Sequence, residues 1–250
     1  MKPHSESLKQ QLFCRLRLLG EESPYVSFEA IKQHAHETWP DLKDDTLRQY
    51  LSEAAEAKFL FDAGRGWYSS LPEPAALDPL PVQTLITEMQ ESFPLLDFTA
   101  WATTQLNPWM RHLFNTPLFF VSCARENMGP VHEFLKQRGY DVSLHPGKAD
   151  LANYVPTNRS IILRPLISKT PSIFPHASVV QVLVDLCIER RQLPIMDESE
   201  FKNLAHGLIS RHLLQISELE FYMKRRRLRF DELLELSIIS TIFKKVELMD

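Results

Sequence analysis

Lys43-Asp44-Asp45-Thr46-Leu47-Arg48-Gln49-Tyr50-Leu51-Ser52-Glu53-Ala54-Ala55-Glu56-Ala57-Lys58 is the stretch on which the N-terminal part of the chain turns. Leu47, Tyr50, Leu51, Ala54 and Ala55 recur at i, i+3, i+4, i+7 and i+8, one face of an amphipathic helix. Arg48, Gln49, Ser52, Glu53 and Glu56 occupy the other face. Asp44 or Asp45 is placed to cap the helix by accepting hydrogen bonds from the free N–H groups of its first turn. Directly behind it come Phe59-Leu60-Phe61-Asp62, then Ala63-Gly64-Arg65-Gly66, then Trp67-Tyr68-Ser69-Ser70. Two short apolar-aromatic runs around a glycine turn predict a β-hairpin. Helices, a further helix and a hairpin, in that order, are the sequence of elements in a winged helix-turn-helix, expected here over residues 1–71.

The flanking residues supply the rest of such a domain. A first helix is expected from Glu6 to Leu19, with Leu8, Leu12, Phe13, Leu16 and Leu19 on one side and Gly20 as a left-handed cap. Tyr25-Val26 suits a short extended piece pairing with the wing. Ser27 then caps a second helix that faces Phe28, Ile31 and Ala35 inward and stops at Trp39-Pro40. Beyond Leu71 the prolines at 72, 74, 79 and 81 deny both a helix interior and a central strand, so residues 72–81 read as a linker.

Residues 82–250 read as a larger α/β domain with a small sheet of about four strands and a helical C-terminal part, giving a mixed α+β fold class overall. Its expected strands are Leu96–Ala102, Leu118–Ala124, Tyr140–Leu144 and Ser160–Arg164, with helices over Val82–Phe93, Thr104–Leu113 and Pro130–Arg138. Pro165 to Pro175 reads as a crossover. The apolar run Val179–Cys187 predicts a buried helix, and helices follow from Asp197 or Ser199 to about His212, from Ser217 to Arg227, and from Phe230 to Val246.

Composition narrows the function classes. Hydrophobic residues at 44% and charged residues at 24% describe an ordinary globular protein rather than a fibrous or disordered one. Cys14, Cys123 and Cys187 stand far apart in apolar runs, which predicts three buried thiols in a reducing compartment rather than a disulfide framework or zinc site. No apolar run reaches the ~20 residues of a membrane span and no signal-peptide core opens the chain, so the expected location is the cytoplasm. The net charge is −4, and residues 1–71 hold nine Lys or Arg against eleven Asp or Glu. DNA binding by such a domain depends on where its charges sit, because phosphate neutralisation dominates affinity.

Catalytic patterns are weak. A metal nuclease needs an acid on one strand and an acid-x-Lys on the next. Asp97 and Asp141 fit the first, but Ser160–Arg164 carries no carboxylate. Paired strand acids of a nucleotidyltransferase, a glycine-rich phosphate loop and a nucleophile elbow are missing from the sequence. His34 and His36 lack the i, i+4 spacing that suits zinc, and His112 reads as a structural hydrogen-bonding residue. The expectation is a non-enzyme without cofactor or metal.

Trp101-Ala-Thr-Thr-Gln-Leu-Asn-Pro-Trp-Met-Arg-His112, Val131-His-Glu-Phe-Leu-Lys136, Ile161-Ile-Leu-Arg-Pro-Leu-Ile167 and Val182-Leu-Val-Asp-Leu186 follow one another in an order that resembles the AbiEi-like antitoxins of abortive-infection systems. The resemblance spans roughly residues 5 to 220. It implies a phage-defence regulator with an N-terminal winged helix, repressing its own operon and counteracting a neighbouring nucleotidyltransferase-like toxin. Where the family tends to show a Glu-Lys pair, this chain has Val180-Gln181.

The expected DNA-binding residues follow from both lines. Arg48, Gln49 and Ser52 lie at the exposed start of the third helix, where arginine and glutamine can make bidentate contacts to guanine and adenine edges. Lys43, Lys58 and Arg65 are placed to contact phosphates. The same side chains also fit a solvated helix face, and Glu53 and Glu56 there repel phosphate. Lys224-Arg225-Arg226-Arg227-Leu228-Arg229 is a secondary basic patch, suited to nucleic acid or an acidic protein, or simply to the negative end of a helix dipole. Expected partners are double-stranded DNA of its own promoter, the toxin, directly or indirectly, and a second copy in a homodimer. The competing reading is a protein-interaction adaptor of a phage-defence system.

Overall fold

Ser7 starts the first helix with a reciprocal cap: its Oγ accepts from Gln10 N at 3.3 Å while Gln10 Oε1 accepts from Ser7 N at 3.0 Å. The computed structural model describes residues 7–147, 149–150 and 154–244, so Glu6 lies outside the described residues. Helix α1 (Leu8–Glu22) continues two residues past Gly20. Gly20 therefore serves packing rather than a left-handed cap, since a Cβ there would stand 2.8 Å from Ser70 Cβ. Strand β1 (Tyr25–Ser27) leads into α2 (Phe28–Thr38), where Ser27 Oγ accepts from Ala30 N at 3.2 Å. Helix α3 (Asp44–Glu56) has Lys43 at its cap position without a side-chain cap, because Asp44 turns to Lys32 Nζ at 2.6 Å. Strands β2 (Phe61–Asp62) and β3 (Trp67–Ser69) form the hairpin, turned by Gly64 at φ 95° and Gly66 at φ 79°, and β3 pairs antiparallel with β1. Leu12, Leu16, Leu19, Val26, Phe28, Ile31, Leu47, Leu51, Ala54 and Leu60 close one core beneath these elements. Cys14, expected inside, is exposed: it falls off the Leu12–Leu16–Leu19 stripe.

A second unit, Ala76–Ala205, has its own core. Its elements are α4 (Leu80–Ser92), β4 (Phe98–Ala102), a 3-10 segment (Thr103–Trp109), β5 (Phe119–Cys123), α5 (Met128–Gln137), β6 (Asp141–Leu144), β7 (Ser160–Pro165), β8 (Ser172–Ile173), β9 (His176–Ala177) and α6 (Val179–Glu189). The sheet order is β6-β7-β5-β4-β9-β8, six strands rather than about four. The two additional strands lie in and just after the proline-marked stretch expected to be a plain crossover, where Ala100 of β4 takes His176 as its parallel partner. Alternation along the strands separates two faces. Phe98, Ala100, Ala102, Phe119, Val121, Cys123, Ile161 and Leu163 share a core with Val82, Leu85, Ile86 and Met89 of α4 and Val131 and Leu135 of α5. On the other face Trp101 stacks on Phe120 at 4.2 Å, and Thr99 Oγ1 accepts from Gln181 Nε2 of α6 at 2.9 Å.

Helix α7 (Glu198–Arg211) carries the chain back to the first unit, which comprises residues up to Ala75 and those from His206 on. This departs from the linear division expected around 72–81. Helices α8 (Ile216–Arg226), α9 (Phe230–Leu233) and α10 (Leu236–Ile242) end at β10 (Phe243–Lys244), which pairs in parallel with β1 and completes a sheet of order β10-β1-β3-β2. The single helix expected over Phe230–Val246 is broken by extended backbone at Leu234 and Glu235, and Val246 lies outside the described residues. Phe243 packs against Tyr25, Trp67 and Phe230 with ring centroids 5.1 to 5.8 Å apart. Among the described residues no helix is long and apolar enough to cross a membrane.

Candidate nucleic-acid interface

Helix α3 has a 3.6-residue repeat with Leu47, Leu51 and Ala54 buried, so Arg48, Gln49 and Ser52 are exposed on its outer side. Arg48 lies with its guanidinium carbon 4.0 Å from the centroid of the Phe28 ring, a cation–π contact joining α3 to the start of α2. Phe28 reads in sequence as a core residue alone, and the stacking role has no local signal. Gln49 Nε2 donates to Glu53 Oε1 at 3.1 Å, and Glu53 also pairs with Lys9 of α1. These hydrogen bonds, Lys9 first and Gln49 second, hold the Glu53 carboxyl below its ordinary range. The hydrogen bond between Lys32 and Asp44 likewise pushes the Lys32 amine up and the Asp44 carboxyl down. Glu53 is thus a paired carboxylate rather than a bare negative charge beside Arg48.

The expected phosphate contacts occupy the ends of this region. Lys43 precedes the first turn of α3 and Lys58, at φ 59°, follows its last, so α3 holds the two apart by its own length, about 20 Å for 13 residues. Arg65 sits exposed on the hairpin turn, its backbone N–H donating to Ser217 Oγ at 3.0 Å. Three more contacts fasten the hairpin to α8 and its approach: Ile216 N donates to Ala63 O at 2.7 Å, Gln215 Nε2 to Asp62 O at 3.2 Å, and Trp67 Nε1 to Glu220 Oε2 at 3.1 Å. Sequence reasoning missed Ser217 and Glu220, because their partners lie about 150 residues away.

The basic run belongs to this same unit. Lys224, Arg225 and Arg226 form the last turn of α8 and Arg227 caps it in the left-handed region at φ 57°. Arg229 is engaged by Asp231, with Nη2 to Oδ2 at 2.6 Å and Nε to Oδ1 at 3.1 Å.

The second unit shows how its recognisable segment is used. Gln105 Oε1 accepts from Ala102 N at 2.8 Å and its Nε2 donates to Asp78 O, while Asn107 closes a loop through two hydrogen bonds to the Phe114 backbone. His112, expected to be structural, is instead 88% exposed with Nδ1 3.4 Å from Glu200. Helix α6 buries three polar side chains at four-residue spacing, Gln181, Asp185 and Glu189, and Arg164 of β7 grips Glu189 through two hydrogen bonds of 2.9 and 2.6 Å. A cavity of about 100 Å³ opens between Thr103, Phe114, Leu118, Tyr154 and Leu193. Burial pushes the Cys123 thiol up to about 11. Among the described residues no three His, Cys, Asp or Glu side chains gather as metal ligands.

Comparison with curated proteins gives no match. A family model does match, over residues 46–241, from the first turn of α3 into the last turn of α10 and so through the whole second unit and into both parts of the first. The chain belongs to DUF6577, a family of unknown function.

Proposed function

We propose that this protein is an antitoxin-like, DNA-binding transcriptional regulator that acts in the cytoplasm. It represses its own operon and counteracts a nucleotidyltransferase-like toxin encoded beside it, by binding and not by catalysis. In this reading α1, α2, α3 and the β2–β3 hairpin are a winged helix, and α3 enters the major groove. The observation that carries it is the exposed side of α3, where Arg48, Gln49 and Ser52 stand together while one-sided packing fixes the helix from behind. Arg48 and Gln49 meet base edges, and Lys43, Lys58 and Arg65 meet phosphates. The neutralisation of Glu53 by Lys9 and of Asp44 by Lys32 supports this use of an acidic sequence. The second unit serves dimer or toxin contacts.

The test is a fluorescence-anisotropy titration of the full-length protein against the duplex upstream of its gene and a scrambled duplex, at low and physiological salt. Preferential binding that Arg48→Ala relaxes is expected. Absence of binding to either duplex at low salt overturns the reading in favour of a protein-binding adaptor.

A further inference from the structure

We propose that the cavity beside the end of β4, in the second unit, is a binding site for a small, uncharged, single-ring aromatic molecule that carries a hydrogen-bond acceptor. The site goes beyond the DNA-binding reading and does not depend on it. Its floor is Thr103, Leu118 and Leu193, between 1% and 3% exposed, and its rim is Thr116, Pro156 and Pro194, all exposed. Half-buried Phe114 and Tyr154 make walls between the two.

Two polar residues of the Trp101–His112 segment hold this shape. Thr103 clamps the chain as it enters β5: its N–H donates to Leu118 O and its Oγ1 accepts from Leu118 N, both at 3.1 Å. Asn107 clamps Phe114 in the same manner, accepting from its N–H at 2.9 Å and donating to its carbonyl at 3.1 Å. Walls already fixed by the protein's own bonds lose little freedom when a ligand enters.

The lining selects the occupant. Among the described residues that line the cavity none is charged, so a phosphate or carboxylate would be stripped of water there without a partner. The volume is about 100 Å³, and a closed apolar cavity of about 150 Å³ takes up benzene, so a cavity open at its rim has room for one ring. The Thr103 hydroxyl accepts from Leu118 N and keeps its own proton to give, which calls for an acceptor on the ligand. The Phe114 and Tyr154 rings suit the face or edge of a flat ring. An aromatic side chain from a docked protein fits less well, because it brings backbone carbonyls, and the two rim prolines have no N–H to offer them.

The test is ligand-detected NMR and calorimetric titration of the full-length protein with benzamide, toluene, benzoate and N-acetylphenylalanine amide. The same titrations are run on Thr116→Trp and, separately, Pro156→Trp, which cover the mouth from two sides, each first shown to melt as wild type does. One benzamide per chain is expected, in the millimolar range usual for a ligand of about nine non-hydrogen atoms, weakened about ten-fold or more by either variant. Toluene and benzoate are expected to bind at least about ten-fold more weakly than benzamide, the first for want of an acceptor and the second for its charge. No benzamide bound to wild type at about 10 mM, or binding that both variants leave unchanged, overturns the site. Benzoate binding as tightly as benzamide overturns the uncharged class, and toluene doing so overturns the acceptor. Tighter binding of N-acetylphenylalanine amide than of benzamide overturns the free ligand in favour of a partner protein's side chain.

Discussion

Replacing Tyr25 by phenylalanine tests whether the C-terminal segment truly completes the N-terminal unit. The Tyr25 ring is fully buried, and its hydroxyl donates to His212 O and accepts from Leu214 N at 2.9 Å, both on the returning chain. Burial pushes the phenol pKa well up, with the Leu214 N–H opposing, so the group stays a neutral donor. Tyr25→Phe keeps the ring against Phe243 and leaves no cavity for a methyl group, but it orphans the buried Leu214 N–H. An unsatisfied buried backbone donor costs about 1 to 3 kcal/mol. At roughly 2 to 4 °C per kcal/mol for a chain of this size, Tm falls by about 2 to 12 °C. Thermal denaturation followed by circular dichroism gives Tm, and amide exchange at Leu214 gives the local effect. A Tm within 1 °C of wild type together with unchanged exchange at Leu214 would refute the pairing of the two chain segments.

Other expectations follow from single contacts. Gly64→Ala must place a Cβ 2.1 Å from Ser217 Oγ, whereas Gly66→Ala meets nothing within 4 Å and suffers only its positive φ; chemical denaturation should find Gly64→Ala the costlier, beyond the ~1 kcal/mol of backbone strain common to both. Glu189→Gln takes the negative charge from half-buried Arg164, which keeps its bonds to Pro146 O and Gln192; losing the charge assistance of two hydrogen bonds costs about 1 to 3 kcal/mol, read as a lower urea midpoint with unchanged m. Asp44 has its pKa lowered on folding, mainly by its hydrogen bond to Lys32, so its stabilisation is present above the unfolded value of 3.8 and fades as pH falls below it; wild type should be the more stable at pH 6, with the Tm gap to Asp44→Asn narrowing as the pH is taken below 3.8. Arg48→Ala should cost about 1 to 3 kcal/mol of base discrimination in the anisotropy titration while leaving non-specific binding at low salt largely intact.

Periodicity made α1, α2, α3, α4 and α5 legible, because each buries a stripe that recurs every three to four residues, and α6 was legible as an unbroken apolar run. The hairpin was legible from two glycines that the turn needs at positive φ. Strands β8 and β9 were not, since two-residue strands between prolines owe their existence to neighbours in the sheet rather than to their own side chains. The return of residues beyond His206 to the first unit had no local signal either. It depends on Tyr25, Trp67 and Phe243 meeting, and three aromatic residues so far apart in sequence look like any others. At the candidate interface the sequence identified the outward residues of α3, but not that Lys9 and Lys32 spend their charge on Glu53 and Asp44, nor that Phe28 supports Arg48.

The pairing of β1 with β10 joins residues 25–26 to residues 243–244. On a ribosome adding about 5 to 20 residues per second, the last strand of that sheet emerges on the order of ten to forty seconds after the first. During that interval the 76–205 unit, whose core draws on none of the later residues, can fold by itself, while β1 keeps an edge without its final partner. If the helix–hairpin unit is the DNA reader, then nascent chains cannot read DNA in their finished form, and only completed molecules contribute to repression.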